Sequence, residues 1–179
     1  MLTNKPYDFE EHVHRFAIWA ASRAASVVGQ RFPVRDGRRI IEAVGLRNLI
    51  GMRGFPEPSQ FDHHHLAWRE EVITRADFPF ELSHGVAAKL INCYLKAAVV
   101  LASNSRAAND PRVAAIHPPV DRLLLSSIRK NCGGATARLP ETPWSKFNSS
   151  EYQATIEALK EIAGNRPLWT VEEHWRGHH

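Results

Sequence analysis

Apolar side chains recur at helical spacing through the first part of the chain. The spacing predicts a first helix over 9–29, whose broad apolar face is formed by Val13, Phe16, Ala17, Ala20, Ala24, Val27 and Val28. A shorter helix is predicted over 39–50, and Asp36 can cap it. After a loop rich in glycine and proline, a third helix is predicted from a cap within 59–62 through residue 76.

The segment 85–102 is apolar almost all round, which is typical of a helix at the centre of a fold. We therefore predict that this helix is central and buried. A polar insert over 103–112 follows it. The next prolines fix an extended chain and favour Pro119 or Val120 in the first turn of a helix that ends near Arg129.

The last part of the chain adds two predicted helices. Ser149 or Ser150 caps the first of them, which Gly164 ends, and a short helix begins near Pro167. The sequence shows no strand alternation and no internal repeat. It therefore predicts an all-α fold of about seven helices in one compact unit.

Length and composition narrow the class of protein. With 179 residues, 44% hydrophobic and 23% charged, the chain is an ordinary globular protein, and the disordered, collagen-like and fibrous classes are excluded. It forms one unit that can divide into two lobes, about 1–80 with the C-terminal helices and about 81–135. Its two cysteines, Cys93 and Cys132, are too few for a disulfide framework or for a four-thiolate metal site.

Charge and hydropathy bear on the partners. No apolar stretch approaches the roughly 20 residues that span a bilayer, and the start of the chain lacks the apolar core of a secretory signal. We therefore expect a cytoplasmic protein without a membrane partner. The net charge of +4 is compatible with a polyanionic partner such as nucleic acid, but it also serves solubility.

Two lysines interrupt the apolar helix predicted over 85–102. Lys89 and Lys96 lie two helical turns apart, so they share one face, with Asn92 and Cys93 between them. One interpretation is that both stems lie along the core while the ammonium groups reach water. The other is that this face carries chemistry.

The residues on either side of the first lysine favour chemistry. They read Ser83-His84-Gly85-Val86-Ala87-Ala88-Lys89, and farther along the chain follows His117-Pro118-Pro119-Val120-Asp121-Arg122. These two segments resemble the signature of the helix-hairpin-helix DNA glycosylases, a superfamily that removes damaged bases. The pattern is more similar to the archaeal 8-oxoguanine glycosylase branch than to the bacterial and eukaryotic ones. It departs from the family in Ala87, which stands where a second glycine is usual.

The resemblance implies a set of DNA contacts. In this family the backbone N–H groups of a glycine-containing turn receive a DNA phosphate, which agrees with the anion affinity of helix N-termini. Gly85 is expected to permit that tight turn. The implied DNA-binding residues are Ser83, His84, Gly85, Val86 and Ala87, to which we add the neighbouring cations Lys96 and Arg122.

The resemblance also makes Lys89 the nucleophile and Asp121 its carboxylate partner. Cleavage of an N-glycosidic bond develops positive charge on the sugar, and a carboxylate beside C1′ stabilises it. An unprotonated amine that attacks C1′ yields a covalent imine once the base departs. The imine can eject the 3′ phosphate by β-elimination, so the resemblance implies a bifunctional enzyme without metal or organic cofactor.

The implied enzyme is a monomer that acts on double-stranded DNA and flips the target nucleotide into a pocket. The first expected substrate is 8-oxoguanine, and the second is a bulky modified pyrimidine of phage DNA, removed in antiviral defence. Candidate aromatic residues for the base pocket are Trp19, Phe61, Trp68, Trp144 and Trp169.

Two other functions stay open at this point. A non-catalytic helix-hairpin-helix module would use Lys89 as a phosphate contact, but such a surface gains nothing from a neighbouring Asp121. A helical protein–protein adaptor would show negligible salt-dependent affinity for DNA. The run His63-His64-His65 is predicted to lie on the surface or in a pocket, because adjacent helical side chains point about 100° apart and cannot all face one metal ion.

Overall fold

The computed structural model describes residues 7–27, 31–78, 81–103 and 110–177, and these residues form seven α-helices. They are α1 (Phe9–Ala25), α2 (Val34–Ala43), α3 (Phe61–Arg75), α4 (His84–Leu95), α5 (Pro111–Ala114), α6 (Arg122–Asn131) and α7 (Ser149–Ala163). Short 3-10 helices span Leu46–Met52, Pro58–Gln60, Gly134–Arg138, Trp144–Lys146 and Leu168–His174. The described residues form no β-strand element, so the all-α prediction is confirmed. No helix within them is long and apolar enough to cross a bilayer.

The first two helices differ from their predicted bounds. Helix α1 ends at Ala25, ahead of Gly29, which lies outside the described residues. Helix α2 begins at Val34 directly after Pro33, so Asp36 lies in its first turn and is not the cap that was predicted. The helix predicted over 39–50 is interrupted at Gly45, which has φ of 83°, a left-handed conformation that ends an α-helix.

The central and C-terminal helices follow the prediction more closely. Helix α4 is continued by a single π-helical turn, Lys96–Val100, so the predicted central helix over 85–102 is confirmed with a change of winding. Pro119 and Val120 stay outside α6, because Asp121 is its N-cap. Helix α7 is capped by Asn148 instead of Ser149 or Ser150, and its Glu151 completes a capping box.

The apolar side chains form two clusters, and α4 lies between them. The first cluster holds buried residues of α1 to α5, and the second holds buried residues of α6, α7 and the last 3-10 helix. Most of α4 packs into the first cluster, whereas Ala88 belongs to the second. The next residue, Lys89, is therefore placed where the two clusters meet.

One buried acid ties the first helices together. Glu11 on α1 is 6% exposed and forms ion pairs with three arginines, Arg15, Arg38 and Arg47. These contacts lower its pKa from 4.5 to about 2, the hydrogen bond from Arg15 acting most strongly, although burial alone would raise it. The carboxylate therefore stabilises the fold fully above pH 4.5, and this contribution is lost as pH falls towards 2.

We expect Glu11→Gln to lower the free energy of unfolding at pH 7 by about 2 kcal/mol, because charge-assisted hydrogen bonds are lost. At pH 3 the difference from the wild type should shrink, because the unfolded chain then binds a proton at Glu11, with a pKa of 4.5, that the native carboxylate, with a pKa of about 2, does not bind. Urea unfolding at both pH values measures this. Glu10→Gln, on the exposed side of the same turn, is the control and should change little. An equal loss of unfolding free energy in Glu11→Gln at both pH values would contradict a stabilising role for the Glu11 charge.

Candidate active site

Lys89 and Asp121, which are 32 positions apart in the chain, form an ion pair between the two apolar clusters. Lys89 Nζ lies 3.0 Å from Asp121 Oδ2. The lysine side chain is 7% exposed and the aspartate side chain is 21% exposed. Both side chains are thus largely withdrawn from water, which strengthens the electrostatic interaction between them.

Helix geometry fixes the aspartate. As the N-cap of α6, Asp121 accepts a hydrogen bond at Oδ1 from the backbone N–H of Leu124, at 2.9 Å. This holds one carboxylate oxygen against the helix and turns the other, Oδ2, towards α4. The lysine is fixed in turn because α4 is buried along nearly its whole length.

Two tryptophans complete the surroundings of the pair. The indole N–H of Trp175 donates to Asp121 Oδ2 over 3.0 Å, the same oxygen that faces Lys89. The Trp144 ring lies near the lysine, with its centroid 5.7 Å from Lys89 Nζ. Trp144 was among the predicted pocket aromatics, whereas Trp175 was not.

The electrostatic balance at Asp121 favours its charged form. Burial would raise the pKa of this carboxyl, but the Lys89 ammonium, the Leu124 amide and the Trp175 indole N–H together hold the pKa below its ordinary value of 3.8. The carboxylate therefore stays negative at neutral pH.

Beside this pair runs a groove of about 1030 Å³, which we call the Trp144 groove. Trp144 lines this groove and also lies near Lys89. The wall holds three cations and two acids, namely Arg122, Arg129, Lys146, Glu81 and Glu141. Arg122, predicted as a DNA contact, is exposed on this wall. The wall of the groove therefore carries one positive charge more than it carries negative charges.

Lys96, the other predicted cationic contact, is engaged within the fold. Its ammonium pairs with the carboxylate of Glu172 in the Leu168–His174 segment, and its side chain is 36% exposed. A contact from Lys96 to DNA would have to exchange this partner. The Lys96–Glu172 ion pair and the hydrogen bond from Trp175 to Asp121 together attach the C-terminal segment to the rest of the fold.

The predicted hairpin amides are already hydrogen-bonded inside the protein. The N–H of Gly85 donates to the carbonyl of Phe147 over 3.2 Å, and that of Val86 donates to the Ser83 hydroxyl over 3.1 Å. The N–H of Ala87 donates to the carbonyl of Ser83 over 3.0 Å. All three residues are buried, whereas Ser83 and His84 are partly exposed. Within this segment, a phosphate can therefore reach the side chains of Ser83 and His84 more easily than the buried amides.

Gly85 is needed for close packing and not for a tight turn, so that part of the prediction is wrong. It lies inside α4 and is not among the described residues with positive φ. A Cβ built on Gly85 would lie 1.7 Å from the carbonyl oxygen of Trp144. The missing side chain lets the segment that carries Trp144 approach α4.

We expect Gly85→Ala to destabilise the protein by about 2 kcal/mol or more, because the Trp144 backbone must move. In an ordinary helix interior the same change stabilises the protein by up to about 1 kcal/mol. A destabilising effect of Gly85→Ala would therefore indicate the close contact. Thermal unfolding measures the effect, and Gly134→Ala, where nothing lies within 4 Å of the added Cβ, is the control. A neutral or stabilising Gly85→Ala would contradict the close approach.

A buried polar network lies behind the site and was not predicted. His65 hydrogen-bonds to Asn92 at 2.7 Å, and Asn92 donates to the Tyr152 hydroxyl at 2.9 Å. His117 joins this hydroxyl to the carboxylate of Asp62. The prediction of a surface or pocket position is wrong for His65, which is fully buried, and holds for the exposed His63 and His64. Within the described ranges, no group of three or more His, Cys, Asp or Glu could hold a metal ion.

Comparison with known proteins gives no match to this chain, whether with protein-family models, with curated proteins or with solved structures. The functional assignment therefore depends on the geometry of the site and on the resemblance of its two motifs.

Proposed function

We propose that the protein is a DNA glycosylase that uses Lys89 as its nucleophile and has strand-nicking lyase activity. The observation that carries this proposal is the 3.0 Å contact between Lys89 Nζ and Asp121 Oδ2 at a nearly closed site. A lysine and a carboxylate so placed suit attack on C1′ with stabilisation of positive charge on the sugar.

The reaction begins from the ion pair. The Lys89 ammonium gives one proton, through water, to the departing base, while Asp121 stays a carboxylate that stabilises the positive charge on the sugar. The free amine then attacks C1′, and the electron pair of the N-glycosidic bond leaves with the base, which has taken up the proton from Lys89. The nitrogen now bound to C1′ passes a proton to O4′. Ring opening gives an imine between Lys89 and C1′. Loss of a C2′ proton then expels the 3′ phosphate, and hydrolysis of the imine frees the lysine.

The surroundings of the pair support base flipping. Trp144 borders both the lysine and the groove, so its ring can stack on a base that leaves the duplex. Arg122 and Arg129 on the groove wall can contact the backbone phosphates of the strand. We retain 8-oxoguanine as the first substrate to test and a bulky modified pyrimidine as the second.

A non-catalytic helix-hairpin-helix module is less well supported. Such a module offers backbone N–H groups to phosphate, and in this chain those of Gly85, Val86 and Ala87 already have partners. A nearly buried lysine held by a carboxylate is also poorly placed to contact a phosphate on the protein surface.

The proposal is tested by incubating excess protein with a panel of duplexes, each with one modified base opposite each normal base. Mass spectrometry of the released base and gel analysis of strand breaks, with and without alkali, separate excision from nicking. We expect release of one class of modified base and breaks without alkali. Unmodified duplexes serve as the control, and binding without release on every duplex would favour the module.

A further inference from the structure

A buried arginine of α3 has no acidic partner. Arg69 is 1% exposed, and its Nε atom has no hydrogen-bond partner. Its guanidinium pairs with no carboxylate of the described residues; the nearby Asp62 is bound instead by His117 and Lys160. Removing a guanidinium from water without a counter-charge is costly, so this position calls for an explanation.

Contacts with two neighbouring side chains orient the Arg69 guanidinium. It lies over the ring of Tyr152, 4.4 Å from the centroid, and its Nη1 lies 3.3 Å from His84 Nδ1. An arginine can only donate, so His84 Nδ1 accepts and the proton of the neutral imidazole is on Nε2. His84 is thereby left with an N–H group to offer a ligand.

Arg69 and His84 line one pocket together with the start of α7. This pocket, which we call the Arg69 pocket, has a volume of about 720 Å³ and includes Asn148, Ser149 and Ser150. In a 15-residue helix the first amides have no intrahelical partner, and they carry the positive end of the helix dipole. The amides of Ser149 and Ser150 are in this position.

One acid also borders the pocket, but its oxygens are engaged. Asp62 Oδ1 lies 2.8 Å from His117 Nε2, and Oδ2 lies 2.5 Å from Lys160 Nζ and 3.4 Å from Gln153 Nε2. Its charge is balanced by these donors, whereas Arg69 forms an ion pair with none of the described acids, and Glu70 and Asp62 stabilise its charge only without direct contact. The pocket therefore has an excess of donors and positive charge.

We propose that the Arg69 pocket is a binding site for a phosphate group, held by Arg69, His84 and the first turn of α7. A tetrahedral oxyanion suits this set, because a guanidinium fork, an imidazole N–H and helix-terminal amides approach from different directions. Burial lowers the pKa of Arg69, so a bound anion would also stabilise the charge that burial disfavours. The site does not depend on the proposed glycosylase activity.

The test is thermal unfolding in sodium phosphate against sodium chloride of equal ionic strength and pH. For the wild type we expect phosphate to raise Tm by roughly 3 °C or more at tens of millimolar, because a ligand of the native state stabilises it. Arg69→Met keeps a flexible, unbranched side chain and removes the uncompensated charge. It should fold and lose the phosphate response.

A second variant covers the case in which Arg69→Met does not fold. Ser150→Glu places a carboxylate on an exposed position at the start of α7, where the helix dipole favours it, and should abolish the response by repelling the anion. Asn165→Glu makes the same change of charge just beyond the other end of α7 and should keep the response. A wild-type Tm that rises no more in phosphate than in chloride, or a full response in Ser150→Glu, would overturn the proposal.

The phosphate can be free or part of a DNA backbone, and salt titrations separate the two. If the site takes a DNA phosphate, Arg69→Met should reduce the slope of log affinity against log salt by about one charge. If it takes free phosphate, the slopes should be equal, and both results keep the pocket as a phosphate site. Lys89→Gln should retain the phosphate response, so failure of the glycosylase proposal would be seen separately.

Discussion

Lys89→Gln is expected to slow base excision by roughly 10⁴-fold or more, as loss of a covalent nucleophile does in other enzymes. The amide of glutamine can still donate to Asp121, so the fold should persist. Affinity for duplex DNA should change by less than about threefold, because the side chain is 7% exposed and contributes little to the surface potential. Single-turnover release of the base and a binding titration measure the two effects.

The matched control is Lys96→Gln, on the same helix face. Lys96 pairs with Glu172 and is more exposed than Lys89. Its loss should therefore weaken attachment of the C-terminal segment while excision continues. Equal excision by the wild type and Lys89→Gln would remove Lys89 from the reaction. Equal losses in both lysine variants would point to a structural role for this face.

Asp121→Asn is expected to slow excision by roughly 10² to 10³-fold, the scale of a lost electrostatic catalytic group. Asparagine is as good an N-cap as aspartate, so α6 should keep its start, and Tm should fall only through loss of the ion pair with the nearly buried Lys89. The variant therefore separates the charge of Asp121 from its capping role. Single-turnover rates measured beside thermal unfolding give both readouts.

Asp8→Asn is the matched control for this change. Asp8 caps α1 through a hydrogen bond from the Glu11 amide, much as Asp121 caps α6, but it has no contact with Lys89. We expect wild-type excision from Asp8→Asn. A rate loss in Asp121→Asn that merely follows a lowered Tm would contradict a catalytic charge.

The local parts of the fold and site were predictable from the sequence. The continuous apolar character of 85–102 indicated a central helix because no face of it could be solvated. The two motifs named Lys89 and Asp121, and the structure brings these residues within 3.0 Å. Helix ends were harder, because several neighbouring residues can cap. Asn148 prevails over Ser149 and Ser150 since Glu151 completes its capping box.

The contacts that depend on tertiary structure were not predictable. Trp175 is 54 positions from Asp121, and no local pattern signals that its indole N–H meets that carboxylate. The need for glycine at position 85 arises from the Trp144 carbonyl of another segment. Burial of Arg69 has no sequence signal at all, because an arginine on an amphipathic helix is ordinarily expected at the surface.

Borohydride trapping tests the central claim most directly. The protein is incubated with a duplex that carries the excised base, reduced with sodium borohydride, digested and analysed by mass spectrometry. We predict a covalent DNA adduct that maps to Lys89, forms with the wild type, Lys96→Gln and Asp8→Asn, and is absent from Lys89→Gln. An adduct on a different residue, or base release by the wild type without any adduct, would contradict a Lys89 nucleophile.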